Sequence, residues 1–296
     1  MEPINRIHHI SAIVGNSQEN VNFYRDILGL RLVKQTVNYD DPKVYHIYFA
    51  DAEYESDAVM TFFNWETDRK GRKGSGQVGR IAFRIPNGTL NTWKEHLEQE
   101  GITVEETELF NRPTLEFEDV HTLELALVES DEESDNDNIL GIHGAVLNSA
   151  VPEATVRLLT HHMGLEEVGR EDDFIHLETI GEERHHIIVP TEKLDRGRWG
   201  VGTVHHIAWN IPTPEKHLEW QEYLMDQAFK VTEVKERNYF NAIYMKEFGQ
   251  VIFEYATEGP GFTVDESKEE LGTNFILPDH LEDHRNEILA NLPPID

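Results

Sequence analysis

The sequence contains no cysteine among its 296 residues. This absence excludes disulfide bonds, thiolate metal sites and a cysteine nucleophile, so any bound metal must use histidine and carboxylate ligands. No apolar run approaches the roughly 18 residues that a membrane-spanning helix needs. The first ten residues, MEPINRIHHI, contain neither the basic segment nor the apolar segment of a secretory signal. We therefore expect a cytoplasmic protein without membrane contact.

Positive charge is scarce as well. The chain has 26 Lys+Arg against 56 Asp+Glu, which gives a formal net charge of −30. Such a surface repels phosphate backbones and anionic lipid headgroups, so nucleic-acid and membrane partners are not expected. The basic segment 69–74 lacks the spacing of a phosphate-binding loop and is typical of a solvated hairpin. Oligomeric state is not readable from the sequence, and a homo-oligomer stays open.

An acidic segment, ESDEESDNDN at 129–138, divides the chain into two halves. Its charged and small polar residues have no apolar surface to bury, which is typical of an exposed linker. We predict an N-terminal domain over 1–130, a linker over 131–138 and a C-terminal domain over 139–265. A tail with a short helix is expected over 266–296.

A β-α-β-β-β pattern repeats four times along the chain. In the first copy a β-prone run at 7–14 precedes a helix that Asn16 or Ser17 can cap and Gly29 ends. Three β-rich runs follow, at 30–37, 44–49 and 58–65. The other copies begin near residues 80, 142 and 204, and the fourth is expected to place a strand at 230–234. The repeat predicts an α+β fold of four βαβββ modules paired into two domains. Two unrelated α+β domains with coincident patterns are the alternative.

Two histidine pairs occupy equivalent positions in the first strands of modules one and four. In the register of the repeat, His8 aligns with His205 and His9 aligns with His206. Successive side chains of a strand point to opposite faces, so the two members of each pair face different surroundings. His8 and His205 share a face with apolar residues that should pack on the module helix. His9 and His206 share the more polar face, which we expect to line a cavity.

Glu254 lies inside QVIFEYA, the otherwise apolar last strand of the fourth module. An unpaired buried carboxylate is costly, so this position predicts a nearby cation or metal ion. The corresponding strand of the first module, AVMTFFNW, has no acidic residue. His9, His206 and Glu254 together form the two-histidine, one-carboxylate pattern of non-haem Fe(II) sites, which leave coordination positions open.

These features as a set resemble the vicinal oxygen chelate superfamily, and within it the ring-cleaving dioxygenases that act on hydroquinones. The resemblance covers almost the whole chain and is carried by IHHIS at 7–11, the segments 23–41, 45–51 and 71–77, VHHIAW at 204–209, ERNYFNAIY at 236–244 and FEYATEGPGF at 253–262. It implies the vicinal oxygen chelate fold and an Fe(II)-dependent enzyme, with Mn(II) as the alternative metal. Such an enzyme inserts O2 into a small hydroquinone-like or catecholic ring.

The resemblance implies that His9, His206 and Glu254 bind the iron. Catechol-cleaving members of the superfamily take all three ligands from the C-terminal half, which makes His143 the competitor of His9. The register of the repeat places Gly144 at the ligand position and His143 beside it, and therefore favours His9.

The resemblance implies four further site residues. His8 and His205 would adjoin the ligands, and Arg237 and Tyr244 would face the substrate. His205 is the candidate for proton transfer, since histidine titrates near neutral pH. Arg237 and Tyr244 would stabilise a substrate oxyanion and orient the ring. Phe63, Trp209 and Phe240 are candidates for aromatic cavity walls, with packing in the core as the alternative for each.

Two other functions stay open at this point. A metal-dependent isomerase or lyase of the same fold, similar to glyoxalase, favours four protein ligands and a redox-inert metal, and AVMTFF lacks the second carboxylate. A metal-free binding or sequestering protein would bind its ligand unchanged after His9, His206 and Glu254 were all replaced by alanine. The substituents on the substrate ring are not readable from the sequence.

Overall fold

The computed structural model describes residues 1–56, 58–65 and 69–296. The first module consists of β1 (Ile7–Val14), α1 (Ser17–Val21), which continues as a π-helical segment (Asn22–Ile27), β2 (Arg31–Asn38), β3 (Asp41–Ala50) and β4 (Val59–Asn64). The second consists of β5 (Gln77–Ile85), α2 (Leu90–Gln99), β6 (Glu105–Leu109), β7 (Arg112–Glu118) and β8 (Glu124–Glu129).

The second half of the chain repeats this order. The third module consists of β9 (Gly141–Asn148), α3 (Pro152–Arg157) with its π-helical continuation (Leu158–His162), β10 (Glu166–Arg170), β11 (Phe174–Glu178) and β12 (His186–Pro190). The fourth consists of β13 (Thr203–Ile211), α4 (Pro214–Asp226), β14 (Lys235–Glu236), β15 (Asn241–Lys246) and β16 (Ile252–Thr257). A 3-10 turn (Phe262–Val264), α5 (Asp279–Glu282) and α6 (Arg285–Asn291) complete the chain.

Each of the two eight-stranded sheets combines one module from each half of the chain. The first and fourth modules form the first sheet, in the order β14-β15-β16-β13-β1-β4-β3-β2. The second and third modules form the second sheet, in the order β10-β11-β12-β9-β5-β8-β7-β6. The α+β fold of paired βαβββ modules is confirmed. Since both sheets take strands from both halves, neither coincides with 1–130 or 139–265, and those domain boundaries stay a prediction.

The helix boundaries follow from local signals. Asn16 Oδ1 accepts a hydrogen bond from the backbone N–H of Glu19 at 2.9 Å and so caps α1. Gly29 and Gly164 follow the helical segments of modules one and three with φ of 68° and 77°. This left-handed conformation is most accessible to glycine, which is why these positions end the helices.

The main core lies between the sheets and the helices. Ile10 of β1 and Ile207 and Trp209 of β13 belong to this core. Of the two alternatives for Trp209, the structure shows core packing: the side chain is completely buried and packs against Phe253 at a ring distance of 5.4 Å. It points away from the cavity because it shares a face of β13 with Ile207. His205, expected on the same face, lines the cavity instead, because the β1–β13 ladder shifts register between Ser11 and Ala12.

Three strands differ from the sequence-based expectation. The pattern does not predict β6 and β10, which form the two edges of the second sheet. Their sequences, EETEL and EEVGR, are mostly exposed, so they lack the apolar alternation by which a strand is recognised. The strand expected at 230–234 is reduced to an isolated bridge between Val231 and Met245, with β14 following it.

The tail packs on β2, the edge strand of the first sheet. Phe275 forms an isolated bridge with Gln35. The ammonium of Lys34 is completely buried and lies 2.6 Å from Asp265 Oδ1 and 2.5 Å from Glu266 Oε2. This buried ion pair therefore fastens the start of the tail to the sheet. In the described part of the chain, none of the helices combines the length and the apolarity needed to cross a membrane.

Candidate metal centre

Three side chains from the middle of the first sheet converge on one point: His9 of β1, His206 of β13 and Glu254 of β16. Glu254 Oε2 lies 2.8 Å from His206 Nε2 and 3.3 Å from His9 Nε2. The two Nε2 atoms are 3.1 Å apart. All three side chains are buried. The structure thus brings together the three residues that the sequence pattern predicts as ligands.

The strand registers explain this convergence. The antiparallel β1–β13 ladder pairs His9 with Ala208 and Ser11 with His206. The parallel β13–β16 ladder pairs Ala208 with Glu254 on the other side. His206 and Ala208 are two residues apart and so share one face of β13. The methyl side chain of Ala208 leaves room for the three larger side chains around it.

The donor set fits a divalent metal ion. Among the described residues, no donor binds either carboxylate oxygen of Glu254 with normal hydrogen-bond geometry, although this side chain is completely buried. Burial raises the pKa of Glu254, but the imidazoles of His9 and His206 outweigh it and hold that pKa well below its ordinary value. An ionised carboxylate in this position needs a cation. Two imidazole nitrogens and one carboxylate oxygen suit Fe(II) or Mn(II).

Each of the two candidate ligands His9 and His206 is hydrogen-bonded to the histidine before it. His8 Nδ1 lies 2.8 Å from His9 Nδ1, and His205 Nδ1 lies 2.7 Å from His206 Nδ1. His8 Nε2 lies 3.2 Å from the carbonyl oxygen of Thr257, which can only accept, so His8 carries its proton on Nε2. His9 then donates from Nδ1 and keeps the lone pair of Nε2 free. This is the tautomer that a metal-binding imidazole needs.

Both preceding histidines are neutral at pH 7. Burial and the neighbouring His9 lower the pKa of His8 well below its ordinary value. Burial and the neighbouring His206 lower the pKa of His205 to about 3. The expectation that His205 titrates near neutral pH therefore does not hold for the metal-free centre.

A cavity of about 130 Å³ opens above the three converging side chains. Its walls are mainly aromatic: Tyr39, Tyr48, Phe63, Trp65, Phe240 and Tyr244. These residues come from both modules of the first sheet, so the sheet curls around the cavity. The walls predicted from Phe63 and Phe240 are present.

Arg237 and Tyr244 both line this cavity. Arg237 Nε donates to the Tyr244 hydroxyl at 3.3 Å, and its Nη2 donates to Asp40 Oδ2 at 2.8 Å. Hydrogen bonding to Arg237 lowers the pKa of Asp40. Tyr244 pairs with Glu254 across the β15–β16 ladder, and its ring lies 5.9 Å from that of His206. Both residues can therefore contact a ligand bound beside the three candidate metal ligands.

Several cavity residues were not predicted, and two of them, His46 and Tyr48, are hydrogen-bonded to each other. The Tyr48 hydroxyl and His46 Nδ1 are 2.9 Å apart, and His46 Nε2 lies 2.9 Å from Thr61 Oγ1. Thr61 Oγ1 in turn lies 2.6 Å from Ser11 Oγ. The available signal was their two-residue spacing in YHIYFAD, which places both on one face of β3.

His143 does not join this centre, because it lies on β9 of the second sheet. Its ring packs against Phe110 at 5.0 Å and stacks on His186 at 4.3 Å. The position equivalent to His206 is Gly144, where a Cβ atom would lie 1.9 Å from the carbonyl oxygen of His186. No metal-binding side chain fits at position 144. The alternative ligand set that contains His143 in place of His9 is therefore not formed at this centre.

Comparison with known proteins agrees with the fold. The model of the Glyoxalase/Bleomycin resistance protein/Dioxygenase superfamily matches residues 6–110. MhqO of Bacillus subtilis (strain 168), named as a ring-cleaving dioxygenase, is 43% identical over 98% of this chain and 96% of its own. A chlorohydroquinone/hydroquinone 1,2-dioxygenase of Sphingobium indicum is 28% identical over 98% and 97% of the two chains. A crystal structure described as that of a Bacillus subtilis dioxygenase has a TM-score of 0.95 at 41% identity, and covers 100% of this chain and 99% of its own.

The chain is thus an oxygenase with paired βαβββ modules. It belongs to the ring-cleaving dioxygenases of the glyoxalase/bleomycin resistance protein/dioxygenase superfamily. The resemblance inferred from the sequence motifs is confirmed.

Proposed function

We propose that this enzyme is an Fe(II)-dependent dioxygenase that opens the ring of a hydroquinone-like substrate, with Mn(II) as the alternative metal and catechols as alternative substrates. The proposal is carried by the buried cluster of His9, His206 and Glu254 at the base of an aromatic cavity. The activity named for the Sphingobium indicum relative supports this substrate class. The cytoplasmic location and a homo-oligomer stay predictions.

The metal would be held by His9 and His206 through Nε2 and by a carboxylate oxygen of Glu254. When bound, Fe(II) supplies open coordination positions at which a phenolate oxygen and O2 are activated side by side. Holding both reactants in one cavity also removes much of the entropy cost of their encounter.

The aromatic walls orient the substrate ring over the ligands. The Phe240 ring lies 5.2 Å from that of His9, and the Phe63 ring lies 6.3 Å from that of His206. A flat ring between these walls keeps water away from the reacting carbons.

Arg237 and Tyr244 bind the substrate oxygen. Arg237 stays charged at any physiological pH. Burial and the carboxylate of Glu254 raise the pKa of Tyr244 well above its ordinary value, so its hydroxyl keeps its proton and donates. A fixed cation and a hydroxyl donor favour the phenolate form of the substrate and stabilise the oxyanion that develops later.

The two histidines next to the ligands have different roles. His205 lines the cavity, and its Nδ1 is engaged by His206, so its Nε2 is the atom that exchanges a proton with the substrate. His8 has both nitrogens engaged inside the protein and therefore positions His9.

Oxygen uptake tests the proposal directly. The protein is purified anaerobically, loaded with Fe(II) and assayed with hydroquinone, methylhydroquinone and catechol. We expect one O2 consumed per substrate and a new near-ultraviolet chromophore. His9→Ala and Glu254→Ala should abolish Fe(II) binding at this centre and oxygen uptake while circular dichroism stays unchanged. His161→Ala, which changes an exposed histidine, serves as the matched control.

Full activity in either ligand variant would overturn the ligand set. An active wild-type enzyme that consumes catechol but not hydroquinones would overturn the substrate class. No uptake in spite of a metal ion bound at this centre would move the assignment to the isomerase or lyase chemistry of this fold.

A further inference from the structure

The second sheet carries its own group of metal-ligating side chains. His176 and Glu178 lie on β11 and His186 lies on β12. His176 Nε2 is 3.0 Å from His186 Nδ1, which is 3.3 Å from Glu178 Oε1. Glu178 pairs with His186 across the ladder, and His176 lies two residues away. All three therefore project from the same face of the sheet.

Buried imidazole nitrogens without partners surround this group. His176 is 3% exposed, and within the described residues its Nδ1 has no hydrogen-bond partner. His143 is equally buried, and among the described residues neither of its ring nitrogens has a hydrogen-bond partner. The His143 ring stacks on His186 at 4.3 Å with an interplanar angle of 15°. Buried polar atoms of this kind are rare without a function, because they lose the hydrogen bonds that they make in water.

Phe110 covers the histidines from one side. It lies in the turn between β6 and β7, and its ring is 5.0 Å from His143 and 5.6 Å from both His176 and His186. Its φ of 58° is in the left-handed region, which is unusual for an aromatic residue. The turn itself requires this conformation, because Phe110 and Asn111 are the two central residues of the β6–β7 hairpin and both have φ of 58°. An adjacent cavity of about 650 Å³, lined in part by His143 and His186, gives access from the surface.

The carboxylate of the group is already oriented. Arg184 Nη1 donates to Glu178 Oε2 at 3.0 Å, which leaves Oε1 facing His186. The side chains of Glu178 and His186 are 17% and 16% exposed, so an ion can reach them from solvent. One free carboxylate oxygen and two imidazoles form a donor set for borderline divalent transition metals.

This group is not a copy of the first centre. In the register of the repeat, the positions of His9 and Glu254 correspond in the second sheet to Arg80 and Ile188. Arg80 forms an ion pair with Glu116 at 2.9 Å, and Ile188 packs in an apolar cluster. The histidine group occupies other positions of β11 and β12, so the repeat alone does not account for it.

We propose that His176, Glu178 and His186 bind a second divalent transition-metal ion, such as Zn(II), in the second sheet. His143 and Phe110 pack around this site and hold His186 and His176 in place. The bound ion joins β11 to β12 through the two nitrogens that face each other, His176 Nε2 and His186 Nδ1. The proposal does not depend on the activity proposed for the first centre.

Zinc stoichiometry tests the proposal. The full-length protein is stripped of metal, dialysed against Zn(II), and its metal content is measured by elemental analysis. We expect two ions per chain in the wild type, one in His176→Ala/His186→Ala, one in His9→Ala/Glu254→Ala and none when all four changes are combined. Glu178→Gln keeps the side-chain shape and should weaken Zn(II) binding at the second site by about 10-fold to 100-fold.

A wild-type protein that binds a single ion, lost in His9→Ala/Glu254→Ala and kept in His176→Ala/His186→Ala, overturns the second site. Unchanged affinity in Glu178→Gln overturns the ligand set even if the double variant does not fold. Oxygen uptake of the Fe(II)-loaded Glu178→Gln enzyme should match the wild type. If the wild-type enzyme binds two ions but consumes no O2, the proposed function is refuted and the second metal site is not.

Discussion

The buried ammonium of Lys34 allows a quantitative prediction about how the tail is held. Lys34→Met keeps most of the apolar stem and removes the charge. The Lys34 side chain is completely buried, and those of Glu266 and Asp265 are 2% and 25% exposed. Removing one partner of a buried ion pair typically costs about 3–5 kcal/mol, because the other charge stays buried without compensation.

The surroundings of the two carboxylates place the expected loss of unfolding free energy at the lower end of this range. Asp265 can regain water because it is partly exposed. Glu266 keeps the backbone N–H of Asn274 at 3.1 Å and that of Gly272 at 3.3 Å, which offset part of the loss. We therefore expect the free energy of unfolding to fall by about 3 kcal/mol, the lower end of the range.

Urea unfolding followed by tryptophan fluorescence measures this loss. Lys34→Met/Glu266→Gln should be more stable than Lys34→Met alone, because it no longer buries an unpaired carboxylate. Lys43→Met, a change of an exposed lysine on β3, should shift the free energy by less than about 0.5 kcal/mol. A loss below about 1 kcal/mol for Lys34→Met, or a double variant no more stable than the single one, would refute the reasoning.

Two further predictions concern the metal centre and acid stability. His8→Phe removes the acceptor that fixes the tautomer of His9, so Mn(II) affinity should fall by about 10-fold to 100-fold in calorimetric titration, and an unchanged affinity would contradict this role. Burial raises the pKa of Glu266, but hydrogen bonding to Lys34 outweighs this effect and holds that pKa below the ordinary value of 4.5. The ionised Glu266 side chain therefore contributes stability above pH 4.5, and this contribution is lost as pH falls through the folded pKa. Urea unfolding at stepped pH should therefore show a smaller loss on acidification for Glu266→Gln than for the wild type, and equal losses would rule out this contribution.

The repeat of modules was predictable because each module has its own local signals. The apolar run of β1, the cap at Asn16 and the left-handed Gly29 can all be recognised without knowledge of the rest of the chain. Which modules share a sheet was not predictable in this way. The first strand β1 has two candidate central partners of similar apolar character, β5 and β13, and the packing of whole modules decides between them.

The candidate ligands were recognisable because each breaks a local pattern. Glu254 interrupts an apolar strand, and His9 and His206 recur at one position of the repeat. His46 breaks no such rule, since a polar residue every second position is ordinary in a strand. His46 lies in the cavity because the sheet curls, and the sequence pattern of β3 does not predict that curl. The group around His176 was missed for a similar reason, because its members lie on two strands and become neighbours only through their ladder.

The central pairing of β1 with β13 has a consequence for the order of assembly during synthesis. His9 and His206 are 197 residues apart in the chain, and Glu254 is made later still. The second sheet comes from contiguous modules and can form while β1 still lacks its central partner. Contacts between distant segments form slowly, because a long loop must close first. The candidate ligand set is therefore complete only after β16 has left the ribosome. Metal capture, as proposed for this centre, would report that the chain has closed its first sheet.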